Sequence, residues 1–116
     1  MRTILLISHG SHSSKTKEEV HSLVELLKTQ SGISNFYFAF LEIETPSIPE
    51  GIQECIDSGA TEVFILLNFL NSGKHVDCDI PQIVSQAKLK HPNILFKISR
   101  PIGQHPQIVN LFLDEV

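Results

Sequence analysis

Three residues whose side chains can bind metal ions or accept protons lie in the segments that follow apolar runs of the sequence. They are His9, Glu42 and His75. Neutral imidazole nitrogen and carboxylate oxygen together suit Co, Fe, Ni and Zn ions. A set with only two imidazoles would hold an ion weakly enough to release it, whereas a closed four-ligand site retains it. These residue types predict a site that handles a divalent metal ion, and do not by themselves select a reaction.

The elements that position these side chains can be read from the hydrophobic pattern. Four short apolar runs predict strands, and they span residues 3–8, 36–41, 63–67 and 94–98. Each is followed by a segment with helical periodicity or helix-capping residues, giving the order βαβαβαβα. Strands that alternate with helices indicate right-handed crossovers. We therefore expect an α/β three-layer sandwich with a four-stranded, mostly parallel sheet and helices on both faces.

Capping residues predict where the helices begin and end. Thr16 has capping-box spacing at the start of the first helix, and Ser47 has it at the start of the second. Gly59 suits the left-handed residue after the second helix, and Asp79 is expected to cap the third. A last helix is expected over Pro106 to Leu113, because its first turn tolerates proline.

The predicted topology brings the reactive side chains to one edge of the sheet. Ligands of open parallel sheets bind outside the carboxyl ends of the strands. His9, Glu42 and His75 fall there, and Arg100 is expected there after the fourth strand. The remaining histidines fit simpler roles, and only His12 is close enough in sequence to His9 to share this edge. His21 is expected on a helix surface, His91 at a helix end and His105 at a turn or N-cap.

Bulk properties exclude several classes of function. The chain of 116 residues fits one domain over 1–116, and 41% hydrophobic residues can fill its core. A formal charge of -4 argues against nucleic acid, and no apolar run approaches the roughly 20 residues that span a bilayer. The N-terminal run lacks the features of a signal peptide, so a cytoplasmic location is expected. Cys55 and Cys78 match no metal or redox motif and are expected to be packing thiols.

Two other functions, one enzymatic and one not, are considered for the same residues. The sequence has neither a GxxxxGK[ST] nor a GxGxxG motif, so no organic cofactor is expected. A phosphate-transfer enzyme with His9 as nucleophile is disfavoured, because Ser8 stands where a phosphate-binding arginine would help and only Arg2 and Arg100 are present. A non-enzymatic carrier of a metal ion or of a metal-binding molecule would use the same ligands and stays open.

An ordered series of motifs extends almost from end to end of the chain. It comprises Ser8-His9-Gly10-Ser11, Phe40-Leu41-Glu42, Pro46-Ser47-Ile48, Gly59-Ala60, Phe69-Leu70, Gly73-Lys74-His75-Val76, Asp79-Ile80-Pro81 and Gly103-Gln104-His105-Pro106. In this series the sequence resembles the class II tetrapyrrole chelatase family, in particular short sirohydrochlorin cobaltochelatases of the CbiX type and their ferrochelatase and nickelochelatase relatives. The His-Gly-Ser element alone is weak, and the ordered series is specific.

The resemblance implies insertion of a divalent metal substrate, with Co²⁺ favoured over Fe²⁺ or Ni²⁺, into sirohydrochlorin in cobalamin or siroheme biosynthesis. It implies that His9 and His75 hold the metal and that Glu42 accepts protons or guides the ion. One unit per chain implies a homodimer with the macrocycle between two lobes. That agrees with the need of a flat macrocycle for walls on both faces.

One position departs from the pattern of the family. Relatives commonly carry arginine directly after the His-Gly-Ser element, and His12 stands there in this chain. A bidentate contact to a substrate carboxylate is therefore expected to be lost or weakened. We hypothesise that Lys15, Lys74 and Arg100 compensate for it, because they lie at the predicted strand ends.

Overall fold

A computed structural model describes all residues from 1 to 116, and its strands alternate with helices as the sequence predicts. The strands are β1 (Arg2–Ser8), β2 (Phe36–Phe40), β3 (Glu62–Leu67) and β4 (Leu95–Pro101). The helices are α1 (Ser14–Ser31), α2 (Ile48–Asp57), α3 (Ile80–Lys90) and α4 (Ile108–Leu113). A π-helical turn (His75–Asp79) leads into α3, and a 3₁₀ turn (Ile102–Gln104) follows β4.

The four strands form one parallel sheet in the order β2-β1-β3-β4. β1 lies inside the sheet, where Ile7 pairs with Ala39 of β2 and with Leu67 of β3. All six residues from Thr3 to Ser8 are buried, as expected for a strand covered on both faces. The carboxyl ends of β1, β2 and β3 consequently lie side by side.

Alternate residues of β1 enter two separate cores. Leu5 and Ile7 point toward α2 and α3, whereas Ile4 and Leu6 point toward α1. The first core contains 15 buried residues and the second contains six. Helices thus cover both faces of the sheet, and the predicted three-layer α/β fold is confirmed.

The second helix begins and ends where the sequence predicts. The Ser47 side chain accepts a hydrogen bond from the Glu50 backbone N–H (3.3 Å), and the Glu50 side chain accepts one from the Ser47 backbone N–H (2.8 Å). This reciprocal capping box holds the pKa of Glu50 below its usual value, mainly through the backbone N–H of Ser47. Gly59 follows the helix with a φ of +91°.

Two predicted helix starts are wrong. Helix α1 begins at Ser14 instead of near Thr16, because the Thr16 N–H already donates to the Ser13 carbonyl (3.2 Å) in a first turn. Asp79 does not cap α3. Its backbone is helical (φ −65°, ψ −49°), since the π-helical turn continues directly into α3.

The last helix lies apart from the layers. No residue of α4 is buried, although five of its six residues are apolar. On the face of the sheet beside α1, an open groove of about 500 Å³ is lined mainly by apolar side chains. These include Leu6, Leu23, Leu27, Leu66 and Ile102. No helix of this chain has both the length and the apolarity to cross a bilayer.

Candidate metal centre

The end of β1 is joined to the end of β2 by backbone hydrogen bonds that continue past the strands. The Leu41 N–H donates to the Ser8 carbonyl (2.9 Å), and the Glu42 N–H donates to the His9 carbonyl (3.1 Å). Because these bonds extend the parallel ladder into the two loops, Glu42 is carried to the side of His9.

Gly10 allows the two loops to approach closely. It has a φ of +104°, and a Cβ atom at this position would clash with the Glu42 carbonyl oxygen. One residue further, the Ser11 N–H donates to Oε2 of Glu44 (3.1 Å). The Gly and Ser of the His-Gly-Ser element therefore hold the loop that carries Glu42.

His9, Glu42 and His75 converge as the sequence predicts. Nε2 of His9 lies 2.9 Å from Oε1 of Glu42. The rings of His9 and His75 have centroids 5.3 Å apart and are inclined by 56°. One ligand atom from each of the three residues lies within 4.8 Å of the others. All three side chains are about half exposed, so an ion and a larger ligand can reach them from solvent.

Asp79 orients His75. The Asp79 Oδ2 atom lies 2.8 Å from Nδ1 of His75, within the π-helical turn that contains both residues. A carboxylate accepts hydrogen bonds, so Nδ1 carries the hydrogen and Nε2 remains as the ligand nitrogen. The sequence contained a signal for this pair, because residues four apart share a helical face, but Asp79 was instead predicted to cap α3.

The His9 ring is oriented in an equivalent way. Its Nδ1 lies 3.2 Å from the Gly10 carbonyl oxygen, which can only accept a hydrogen. Nε2 is thereby left to face Glu42. Each imidazole thus has one nitrogen held by a neighbouring oxygen and one available to a ligand, which is the usual arrangement of metal-binding histidines.

The separation of the three ligand atoms suits an open metal site. An ion bound about 2.0–2.2 Å from each donor holds neighbouring donors about 3–4 Å apart. The present spacing of up to 4.8 Å would need to contract by about 1 Å, which exposed side chains can accommodate. Three ligands would leave at least one coordination position for a second molecule.

The loop that leads to His75 is held by the segment after β4. The Gly103 N–H donates to the Phe69 carbonyl (3.0 Å), and a Cβ atom on Gly103 would clash with the Leu70 backbone. The Gln104 side chain also hydrogen-bonds to Ser72. These contacts give a structural reason for glycine and glutamine at 103 and 104.

The other candidate residues form no ion pair with His9, Glu42 or His75. Arg100 lies at the carboxyl end of the fourth strand, but within β4 instead of after it as predicted, and it lines the groove beside α1. His12, Lys15 and Lys74 are exposed and form no ion pair.

The three remaining histidines have the structural roles expected of them. His21 lies on the exposed surface of α1, and His91 ends α3. The His105 ring accepts a hydrogen bond from the Gln107 N–H (3.0 Å) in a turn.

A family model described as CbiX matches residues 3–116, which is nearly the whole chain. The chain belongs to the CbiX family.

Relatives with this CbiX-type sequence carry chelatase names. The chain is 30% identical over 113 residues to the chloroplastic sirohydrochlorin ferrochelatase of Arabidopsis thaliana, covering 97% of the chain and 48% of that protein. It is 33% identical over 84 residues to the sirohydrochlorin cobaltochelatase of Methanococcus aeolicus, covering 72% of the chain and 59% of that protein.

A solved chelatase structure has the same fold. The sirohydrochlorin chelatase SirB from Bacillus subtilis subspecies spizizenii, in complex with cobalt, superposes with a TM-score of 0.88 at 27% identity. The match covers 97% of this chain and 48% of that one. The chain thus spans about half the length of these larger relatives.

Proposed function

We propose that this CbiX-family chain is a sirohydrochlorin chelatase that inserts a divalent metal ion, with Co²⁺ favoured over Fe²⁺ and Ni²⁺, in cobalamin or siroheme biosynthesis. The observation that carries the proposal is the convergence of His9, Glu42 and His75 at the carboxyl ends of three strands. The names of its relatives support sirohydrochlorin as the second substrate.

His9 and His75 are proposed to deliver the metal substrate through their Nε2 atoms. Nε2 of His9 faces Oε1 of Glu42 at 2.9 Å, so an ion bound at this nitrogen lies beside the carboxylate. Because only three ligands from this chain are available and all are half exposed, the ion is held in an open site. Such a site can surrender the ion to the four nitrogens of a macrocycle.

Glu42 is proposed to accept a proton from the macrocycle. Insertion of a divalent ion forms metal–nitrogen bonds and breaks two pyrrole N–H bonds, so two protons must leave. The Glu42 carboxylate and the imidazole freed of its metal each accept one. Holding both substrates at one edge makes the transfer effectively intramolecular.

A second copy of the chain is proposed to form the other wall of the macrocycle site. The site described above is an open edge, and a flat macrocycle needs cover on both faces. The exposed apolar residues of α4 and the apolar groove beside α1 supply surface for such an assembly. The proposed reaction uses no organic cofactor, nucleic acid or membrane, and we propose a cytoplasmic location.

Anaerobic incubation with sirohydrochlorin and Co²⁺, Fe²⁺ or Ni²⁺ in turn tests the function, with absorbance reporting the metallated product. We expect many turnovers per chain, and a loss of the rate to the no-enzyme level in His9→Ala and His75→Ala. His21→Ala is the matched control, since His21 also lies near a glutamate but is on the surface of α1 and is not one of the three converging residues. Its rate should equal that of the wild type.

The same experiment distinguishes an enzyme from a non-enzymatic metal or tetrapyrrole carrier. Stoichiometric binding of metal or macrocycle without turnover would favour the carrier. Rates equal to the no-enzyme control with every metal would reject the chelatase.

A further inference from the structure

Ile43 has an unfavourable backbone conformation next to the metal centre. It is the one non-glycine residue of the chain with a positive φ, at 73°. The Glu44 N–H donates to the Glu42 carbonyl across it (2.8 Å), which defines a γ-turn centred on Ile43. A γ-turn with a positive φ at its centre is rare and strained, and a β-branched side chain worsens the steric conflict.

The turn aims two carboxylates at the loop that carries His9. Glu42 reaches Nε2 of His9 at 2.9 Å, and Glu44 accepts the Ser11 N–H at 3.1 Å. Glycine at position 43 would adopt this backbone without strain. The turn therefore requires the conformation at position 43 and does not require an isoleucine side chain.

Burial does not compensate for the strain. Ile43 is 52% exposed, although it is a large apolar residue between two polar neighbours. Strained residues persist where their surroundings enforce them, and they concentrate at binding and active sites. An exposed isoleucine in this conformation therefore points to a bound molecule that contacts the side chain.

We propose that the Ile43 side chain contacts the apolar face of the bound tetrapyrrole, beside the point where the metal ion enters. The proposal rests on the proposed chelatase function. The macrocycle has an apolar conjugated face and carboxylates at its edge. Since Glu42 and Glu44 flank Ile43, carboxylates of the substrate are repelled from this position and the face of the ring is accepted.

The test is an absorbance titration of the full chain with metal-free sirohydrochlorin, so that binding is read without turnover. Ile43→Gly removes the side chain and the strain together. We expect its Kd for the macrocycle to rise about 5- to 10-fold, the contribution of burying the exposed half of one aliphatic side chain. KM should rise by a similar factor with kcat nearly unchanged, and the thermal unfolding midpoint should increase.

Two variants and one further ligand serve as controls. Ile43→Val keeps the branched apolar side chain and should bind the macrocycle within twofold of the wild type. Leu89→Ala removes an apolar side chain that is 78% exposed on α3, and it should have no effect on binding. Binding of Co²⁺ alone should be the same in Ile43→Gly and in the wild type.

Three results would overturn the proposal. Unchanged macrocycle affinity in Ile43→Gly would show that the side chain makes no contact. A lower unfolding midpoint together with weaker Co²⁺ binding would show that the side chain serves the turn. A wild-type chain that does not bind the macrocycle would reject both this contact and the proposal that sirohydrochlorin is the substrate. If the wild type turns over normally and Ile43→Gly binds the macrocycle with unchanged affinity, the Ile43 contact is rejected and the chelatase function is not.

Discussion

At the scale of single residues, Asp79 fixes which nitrogen of His75 is free to bind a ligand. Its carboxylate accepts the Nδ1 hydrogen at 2.8 Å, and such partners usually change metal affinity 10- to 100-fold. We predict that Asp79→Ala raises the Kd for Co²⁺ by about 10- to 100-fold. Titration followed by the visible absorbance of bound Co²⁺ measures this change.

The neighbouring Asp77 gives a matched control for this variant. It lies in the same π-helical turn, is exposed, and forms no ion pair with a histidine. Asp77→Ala should bind Co²⁺ like the wild type, and Asp79→Asn, which keeps an accepting oxygen, should recover part of the lost affinity. Equal affinity in Asp79→Ala and Asp77→Ala would contradict the orienting role.

The buried thiol of Cys55 predicts a pH dependence of stability. Burial raises its pKa from 9.0 to about 12, mainly by desolvation of the thiolate. Between these values the unfolded chain has lost the thiol proton and the folded chain retains it, so stability falls as the pH rises. The slope from this group approaches about 1.4 kcal/mol per pH unit.

Urea unfolding at pH 8, 9.5 and 10.5 checks this prediction. The free energy of unfolding of the wild type should fall with pH more steeply than that of Cys55→Ala, because other groups that titrate in this range are common to both. Parallel curves would show that the thiol of Cys55 does not contribute. Cys78 is exposed, so Cys78→Ala should keep the steep slope.

The positions of the three candidate metal-binding residues could be predicted because each lies in the segment that follows a strand. His9, Glu42 and His75 needed only the strand-end rule of parallel sheets. Arg100 was predicted by the same rule to follow the fourth strand, but it lies within it, because β4 extends three residues beyond the end of its apolar run. Ile43 could not be found, since a positive φ leaves no trace in an apolar residue type.

At the scale of helices and strands, the two N-caps provide a comparison within one chain. The Ser47 side chain accepts from the Glu50 N–H, whereas the Ser13 side chain makes no capping bond. We predict that Ser47→Ala lowers the free energy of unfolding by about 1 kcal/mol. Ser13→Ala should change it by less than about 0.5 kcal/mol. Urea unfolding monitored by circular dichroism measures both, and equal losses would contradict the assignment of the caps.

Hydrophobic periodicity predicted which helices and strands exist and in what order. It often did not predict the residues at which they begin and end. α1 starts two residues before its expected cap, and α4 starts at Ile108 instead of Pro106. A cap depends on the geometry of a few side chains, and Ser13, Ser14 and Thr16 all offer the same hydroxyl. The π-helical turn could not be predicted either, because the bond from the Ile80 N–H to the His75 carbonyl, five residues back, has no signature in residue type.

At the scale of the whole molecule, the two faces of the sheet are covered unequally. α2 and α3 share one core, whereas α1 alone covers the other face and leaves the groove beside it open. The sequence predicts α4 as a helix but not where it packs, because an apolar helix can bury its side chains against its own sheet or another chain. A six-residue helix is too short to be stable without such packing.

The proposed second copy predicts both a mass and a way to change it. Light scattering at micromolar concentration should give about 26 kDa, twice the 13.0 kDa of one chain. Phe112 of α4 is 66% exposed, and Phe112→Glu should weaken the dimer by about 2 kcal/mol or more, roughly 30-fold, if this helix lies in the interface. Leu89→Glu places the same charge on α3, where the leucine is 78% exposed, and should leave the mass at two copies.

A wild-type mass of one chain, both with and without tetrapyrrole, would contradict the two-copy site. A dimer that survives in Phe112→Glu would retain the second copy and place its interface away from α4.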